Sequence, residues 1–215
     1  NGFTTDVYVR PIVFKATTKI GVVLSPEQSF GMAAVAMGDY LDTHKGLHCG
    51  VSSWRRLQDN SIPCRAKICG AYVNSALAAQ EARDRGFDEA IFLNEAGHVA
   101  EGSAMNLFLV RAGHLITPDV SQGILEGLTR DSVMTMAKQE LQIDTEERGV
   151  DRTELYVSDE VFLCGTAAQI APVTRVDGRD VGTGQPGPVT LKLQREYERA
   201  VRGKSPKYTH WVHPV

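Results

Sequence analysis

Three features are absent from this sequence of 215 residues, and each absence excludes a class of proteins. No apolar run is long enough to cross a membrane. The formal net charge is only −3, which provides no basic surface for a nucleic acid. The four cysteines form no Cys-x-x-Cys pair, so we expect reduced thiols in a cytoplasmic protein. We therefore expect neither a membrane nor a nucleic acid as partner.

The composition that remains is typical of a soluble globular protein. Hydrophobic residues make up 42% of the chain and charged residues 23%. A chain of this length can bury a substantial core, in one large domain or one domain plus a fragment. The six histidines show no metal-ligand spacing, so we predict no metal site.

The hydrophobic pattern predicts strands first and then strands mixed with helices. Alternating residues predict strands at 7–14, 21–24, 29–37, 48–54, 89–94, 99–101, 106–110, 114–117, 161–164 and 170–176. Helices are predicted at 71–85, from just after Thr129 to about Leu141, and at 189–202. This order favours an α+β fold over a doubly wound sheet.

Two details of this pattern are specific enough to test. The helix at 71–85 is predicted to bury a stripe of Val73, Ala76, Leu77 and Gln80, and the last helix a face of Val189, Leu193, Tyr197 and Val201. Residues 40–47 break the pattern and are predicted to be a linker between a domain at 1–39 and a domain at 48–215.

Lys67 is the residue whose surroundings first indicate chemistry. It is followed by small or apolar residues, Ile68 to Ala71, and desolvation lowers the pKa of a lysine. A lysine of this kind can act as a nucleophile toward a carbonyl. The residues alone favour a second interpretation, a lysine that extends its ammonium group to water, since most lysines are exposed.

A series of motifs changes that balance. In chain order they are Val51-Ser-Ser-Trp54-Arg-Arg, Ser61-Ile-Pro, Ala66-Lys67, Gly70-Ala-Tyr72, Ala100-Glu101-Gly-Ser, Asn106-Leu-Phe, Gly127-Leu-Thr129-Arg-Asp, Asp159-Glu-Val-Phe and Gly165-Thr166-Ala-Ala. Their order and approximate spacing resemble the class IV aminotransferases, the fold-type IV enzymes that use pyridoxal 5′-phosphate (PLP). The resemblance is nearest to the branched-chain amino acid aminotransferases.

The resemblance implies a fold, a reaction and a set of partners. The fold would be part of a small α/β domain followed by a larger pseudo-barrel α/β domain. The reaction would move the amino group of leucine, isoleucine or valine to 2-oxoglutarate by a ping-pong cycle. The partners would be amino acid and 2-oxo acid substrates, and a second copy of the chain in a homodimer or larger homo-oligomer.

The resemblance also assigns roles around the cofactor ring. Lys67 would bind the PLP aldehyde covalently, and its freed amine would move the substrate proton. Glu101 would keep the pyridine nitrogen protonated, which makes the ring a better electron sink. Tyr72 would contact the ring oxygen. Without the resemblance, Glu101 reads as a solvated carboxylate beside a turn and Tyr72 as a half-buried tyrosine at a helix start.

Two segments would bind the cofactor phosphate. Thr129 precedes a predicted helix, whose free N–H groups and dipole favour an anion, although a plain N-cap would explain it equally well. Gly165 and Thr166 follow a strand and offer N–H groups and a hydroxyl, although an ordinary loop would look the same. The implied cofactor-binding set is completed by two leucines, Leu125 and Leu128.

The implied substrate-binding residues are Tyr8, Arg10, Tyr40, Thr166 and Ala167. Tyr8 and Arg10 are two apart on a predicted strand and so face one side, where an exposed pair is the alternative. In the branched-chain enzymes such a pair helps to place carboxylates. It separates them from the D-amino acid and (R)-amine transaminases, which have other residues there.

Some features depart from the family pattern. Gln169 stands where glutamate is common, and Cys64 and Cys69 near the lysine have no assigned role. The family's phosphate-binding arginine would lie upstream of Asn1, so we expect a longer polypeptide whose upstream part supplies it. A D-amino acid or (R)-amine transaminase, the related aminodeoxychorismate lyase, and a catalytically silent binding protein remain as alternatives.

Overall fold

The computed structural model describes residues 2–38 and 45–213. Its contacts divide the chain into two units, Asn1–Tyr40 and Leu41–Val215, and each is described by itself. The predicted linker at 40–47 lies mostly outside the described residues, so the predicted domain boundaries stay a prediction. Within the described ranges, no helix combines the length and the apolar character needed to cross a membrane.

The first unit is an antiparallel hairpin of two strands, β1 (Val7–Lys15) and β2 (Gln28–Ala36). Their register ends where Lys15 pairs with Gln28, so residues 16–27 form the connection. The strand predicted at 21–24 is therefore wrong. Those residues lie in bends of the connection, and Val22 is 99% exposed despite its high strand propensity.

The second unit is built on one mixed sheet of nine strands. The strands are β3 (Leu47–Arg55), β4 (Glu89–Leu93), β5 (Val99–Gly102), β6 (Asn106–Arg111), β7 (His114–Pro118), β8 (Thr145–Arg148), β9 (Glu160–Gly165), β10 (Gln169–Val176) and β11 (Arg179–Asp180). In spatial order they run β5-β4-β3-β10-β9-β6-β7-β8, with β11 paired to β10. Three neighbouring pairs are parallel, β3 with β4, β3 with β10 and β7 with β8, and the others are antiparallel.

Among the described residues, four α-helices accompany the sheet: α1 (Tyr72–Asp84), α2 (Leu128–Met136), α3 (Glu154–Val157) and α4 (Pro188–Val201). A π-helical turn, Ala137–Leu141, continues α2. The helix predicted from just after Thr129 to about Leu141 is therefore confirmed, although it begins at Leu128 and changes winding after Met136. Short 3₁₀ turns occur at Cys69–Ala71, Val120–Gln122 and Pro206–Trp211.

The buried stripe predicted for α1 is wrong. Val73 is 64% exposed and Leu77 41%, whereas Ser75, Ala78 and Ala82 are buried. The helix lies on β3 and β4 through these small side chains, which allow a helix to approach a sheet closely. On α4, Leu193 is buried as predicted, but Ala200 is buried in place of Val201.

The two central strands β6 and β9 are buried on both faces. Successive side chains of a strand point to opposite faces, so Leu107 and Leu109 join one core cluster while Phe108 joins another. Phe108 stacks on Phe162 of β9 with ring centroids 5.1 Å apart. These strands form the rigid support from which the candidate site is built.

Candidate active site

Glu101 on β5 is the one carboxylate among the predicted site residues, and three other residues bond to it. It is 5% exposed. Its Oε1 accepts a charge-assisted bond from Arg56 Nη2 at 2.9 Å. Its Oε2 accepts bonds from Asn106 Nδ2 at 3.1 Å and from the Leu125 N–H at 3.2 Å. Three residues that lie outside β5 therefore fix one carboxylate.

Two opposing effects set the protonation of Glu101. Burial raises the pKa of Glu101 to about 7, because it penalises the charged form. The guanidinium of Arg56 is the largest effect that lowers this pKa, followed by the Leu125 N–H and the charges of Lys67 and Arg130. The net result is a pKa above the ordinary carboxyl value, although three positively charged side chains lower it.

Arg56 and Asn106 are site residues to which no role was assigned from the sequence. Arg56 is 9% exposed, and its Nε also donates to the Gly123 carbonyl at 3.1 Å. Asn106 Nδ2 donates to the Leu125 carbonyl at 2.8 Å as well as to Glu101. Both lie in the motifs described above. Each is a polar residue at the end of a strand, and this position could have indicated a site, because such residues are buried only with a partner.

Lys67 lies in the loop between β3 and α1, and its charge is close enough to lower the pKa of Glu101. Its Nζ lies 5.9 Å from the centre of the Tyr72 ring. The poorly hydrated neighbourhood predicted from Ile68 and its neighbours is wrong, since Lys67, Ile68 and Cys69 are all exposed. They are exposed because the loop runs over the surface before α1 starts.

The N-terminus of α2 presents free amide groups. Gly127 is its N-cap, with an extended backbone and no side-chain capping bond. The Asp131 N–H is the first to bond within the helix, to the Gly127 carbonyl at 3.1 Å, so the amides of residues 128–130 have no helical partner. Thr129 is therefore the second helical residue and is neither ahead of the helix nor its N-cap.

Gly127 also brings the start of α2 close to Asn106, which bonds to the Glu101 carboxylate. A Cβ at Gly127 would collide with Asn106 Oδ1, so only glycine permits this approach. Thr129 is 7% exposed, whereas the Leu128 side chain is 87% exposed and offers the site its backbone amide.

Residues 166–168 form the turn of the hairpin between β9 and β10. Gln169 closes it with a left-handed φ of 54°. Gly165 lies against the loop that joins β5 to β6, since a Cβ there would meet Met105 Cγ at 3.4 Å and the Ala104 carbonyl at 3.6 Å. The hairpin is thus adjacent to the strand end that carries Glu101, with Thr166 exposed and Ala167 half-buried.

The predicted substrate-binding residues of the first unit are only partly described. Tyr8 and Arg10 face the same side of β1, with the guanidinium 5.4 Å from the tyrosine ring centre. Tyr40 lies outside the described residues. Because the two units are described separately, the predicted contact of Tyr8 and Arg10 with the substrate stays a prediction.

The residues present fit PLP. A carboxylate offers about four lone-pair positions, and the three bonds to Glu101 leave one for a further N–H. A lysine lies within electrostatic reach of that carboxylate. The open amides of α2 and the hairpin turn provide the polar groups that an anion needs.

Comparison with known proteins gives a family match, a similar sequence and two similar solved structures, and all four agree. The family description "Amino-transferase class IV" matches residues 1–176. A probable branched-chain-amino-acid aminotransferase of Aquifex aeolicus is 51% identical over 98% of the chain and 68% of its own length. The branched-chain aminotransferase of Thermoproteus uzoniensis, solved with norvaline, superposes with a TM-score of 0.94 at 44% identity, covering 100% of this chain and 71% of that one. The enzyme of Thermobaculum terrenum in its PLP form gives 0.92 at 40% identity, covering 97% and 68%.

Proposed function

The chain belongs to the class IV aminotransferases, and we propose that it transfers the amino group of leucine, isoleucine or valine to 2-oxoglutarate. The predicted fold-type IV architecture is confirmed, and PLP is the cofactor. The observation that carries the chemistry is the buried Glu101 carboxylate, which keeps one acceptor position beside a lysine. The branched-chain substrate class follows from the relatives, which are branched-chain enzymes.

PLP, when bound, supplies an electron-withdrawing ring that stabilises the charge left when the substrate α-carbon loses its proton. Lys67 would hold the cofactor between turnovers. Its amine would then take the α-carbon proton as a general base and pass it to the C4′ carbon of the cofactor. The exposed loop position of Lys67 suits a side chain that has to serve two positions in turn.

Glu101 would keep the ring nitrogen protonated. Arg56 stabilises the ionised carboxylate, and a protonated ring nitrogen would lower the pKa of Glu101 further, because an opposite charge favours ionisation. Asn106 and Leu125 hold the carboxylate oxygens in place before the cofactor arrives. Such fixed charges lose little energy to reorganisation during the reaction.

The phosphate would lie between the first turn of α2 and the hairpin turn at 166–168, which offer backbone amides and the Thr129 and Thr166 hydroxyls. Tyr72 would contact the ring oxygen. Tyr8, Arg10 and Tyr40 would place substrate carboxylates, as the resemblance implies. A homodimer and a cytoplasmic location complete the proposal, the latter because four free thiols suit a reducing compartment.

A panel of amino donors tests this function. With 2-oxoglutarate as acceptor, L-leucine, L-isoleucine and L-valine should be turned over much faster than D-alanine or (R)-1-phenylethylamine. Higher kcat/KM for D-alanine or the (R)-amine would contradict the branched-chain proposal. PLP binding without turnover of any donor would indicate a silent binding protein.

A further inference from the structure

Gln122 ends the 3₁₀ turn Val120–Gln122 and has no assigned role, yet both polar atoms of its side chain are bonded. The residue is 8% exposed. Its Oε1 accepts a bond from Asn94 Nδ2 at 2.8 Å. Its Nε2 donates to Asp119 Oδ2 at 3.1 Å and to Ser121 Oγ at 3.0 Å. An amide with these bonds holds its neighbours in one arrangement, because a buried polar group left unpaired is costly.

The segment that follows this glutamine, residues 123–125, contacts every partner of Glu101. The carbonyl of its first residue accepts a bond from Arg56 Nε at 3.1 Å. The Leu125 N–H donates to Glu101 Oε2 at 3.2 Å, and the Leu125 carbonyl accepts a bond from Asn106 Nδ2 at 2.8 Å. Each of the three residues that bond to the carboxylate therefore belongs to this segment or is bonded to it.

The turn at the start of this segment is packed against the loop that carries Lys67. Gly123 has a left-handed φ of 79°, and a Cβ there would lie 3.1 Å from the Leu57 carbonyl and 3.7 Å from Cys64 Sγ. Glycine adopts this backbone without a steric cost. Residues 123–125 therefore leave the turn in a fixed direction, and the bonds that hold the turn also hold them.

Asn94, the partner of Gln122 Oε1, belongs to the hairpin that carries Glu101. It follows β4, and its Oδ1 accepts a bond from the His98 N–H at 3.0 Å. Its own N–H donates to the His98 carbonyl at 2.8 Å. The next strand, β5, holds Glu101. The bond between Asn94 and Gln122 thus connects the hairpin that presents the carboxylate to the segment that binds it.

We propose that Gln122 is a positioning residue for the Glu101 carboxylate, acting through residues 123–125. This inference rests on the proposed function, in which that carboxylate pairs with the ring nitrogen of PLP. Without the Gln122 amide, the Leu125 N–H and the Arg56 guanidinium would be held less firmly. Both groups lower the pKa of Glu101, because they stabilise its ionised form. Loss of the amide should therefore make Glu101 a weaker acid.

Two substitutions in the full chain test the inference. Gln122→Met removes the amide at similar side-chain length. Asp119→Asn removes one acceptor of that amide and keeps an oxygen for the Ser121 N–H that caps the turn. Asp119→Asn also removes a negative charge, which by itself makes a nearby carboxyl a stronger acid. Lost positioning makes Glu101 a weaker acid, so the two causes have opposite signs.

Gln194→Met is the matched control. Gln194 is a half-buried glutamine of α4, and its Nε2 donates to the Ile170 carbonyl on β10 at 2.9 Å. The variant removes an amide of the same kind without touching residues 119–125. The ionisable groups that act on Glu101 are intact in all three variants; they are Arg56, Lys67, Cys64, Arg130 and Cys164.

The titration of Glu101 is measured in cofactor-stripped protein by ¹³C NMR of the glutamate carboxyls, with the signal assigned by its absence in Glu101→Gln. We expect Gln122→Met to lower the acid dissociation constant of Glu101 about fivefold, the size of one weakened hydrogen bond. Asp119→Asn should lower it by a smaller factor. Gln194→Met should lower Tm and leave the titration of Glu101 unchanged.

The protein loaded with PLP gives a second readout, the ¹⁵N chemical shift of the cofactor ring nitrogen. Gln122→Met should move this shift toward the value of an unprotonated ring, because a more basic carboxylate draws the shared proton toward itself. Gln194→Met should leave it at the parent value.

Three results would overturn the inference. An unchanged titration of Glu101 in Gln122→Met would show that the amide does not position the carboxylate. An equal change in Gln194→Met would show a general effect of packing. A larger acid dissociation constant in Asp119→Asn would show an effect of charge alone. A ring-nitrogen shift in Glu101→Gln equal to the parent's would instead contradict the proposed function, and the two failures are distinguishable because the carboxyl titration needs no cofactor.

Discussion

The lysine and the carboxylate of the site are held in opposite ways. Lys67 is exposed in a loop, and its charge lowers the pKa of Glu101. Glu101 is buried at a strand end and accepts three hydrogen bonds from Arg56, Asn106 and Leu125. The difference matches the proposed role of each group. Glu101 would stay paired with the ring nitrogen throughout, whereas Lys67 would first hold the cofactor and then move the substrate proton.

Removing the lysine should produce the largest effect on activity and almost none on the fold. We expect Lys67→Ala to reduce turnover to background, beyond the roughly 10²–10⁴-fold of a general base alone, because the covalent hold on the cofactor is lost too. Its Tm should stay near that of the parent, since Lys67 is exposed.

Lys192→Ala is the matched control for that variant, because Lys192 is an exposed lysine on α4 away from Glu101. It should retain the parent rate of transamination. Parent-like turnover in Lys67→Ala would refute the central assignment, and a large fall in Tm would refute the contrast between loop and strand.

Removing the charged partner of Glu101 should instead lower stability, which removal of Lys67 leaves almost unchanged. Arg56→Met leaves a buried carboxylate without its charge partner, and breaking a buried pair in this way costs about 3–5 kcal/mol in the free energy of unfolding. The loss is measured by urea unfolding at pH 8, above the pKa of about 7 that Glu101 has beside Arg56. Without Arg56 that pKa rises further, so part of the loss appears as proton uptake by Glu101.

Arg55→Met is the control, since Arg55 is the preceding residue and is exposed. It should change stability by no more than about 0.5 kcal/mol. Equal losses in the two variants would mean that the Arg56–Glu101 pair makes no special contribution.

The same contrast explains which parts could be predicted from the sequence. Most strands and helices follow from local periodicity, whereas the roles of Lys67, Glu101 and Thr129 were predicted from the resemblance of the motifs to a family. Arg56 was missed because its partner Glu101 is 45 positions away, a contact that no local pattern contains. The wrong stripe on α1 has the same cause, since Ala78 and Ala82 are buried by β3 and β4 rather than by their own hydrophobicity.

The smallest predicted effect, and the one that isolates the carboxylate, is the pH dependence of stability in the cofactor-free protein. Burial raises the pKa of Glu101 to about 7, from an ordinary value of 4.5. Between these values the folded carboxyl keeps a proton that the unfolded chain has lost, so the free energy of unfolding falls as pH rises. From pH 5 to pH 7 the fall attributable to Glu101 is about 2 kcal/mol.

Glu101→Gln removes this titration, so the difference between parent and variant across the window reports Glu101 alone. The charged groups that act on this carboxyl are Arg56, Lys67 and Arg130, and all three are unchanged in the Glu101→Gln variant. Bound PLP should shrink the parent's slope, because a protonated ring nitrogen lowers the pKa of Glu101. A difference that is flat, or that rises with pH, in the cofactor-free protein would show that Arg56 already outweighs burial and that Glu101 is ionised before any cofactor binds.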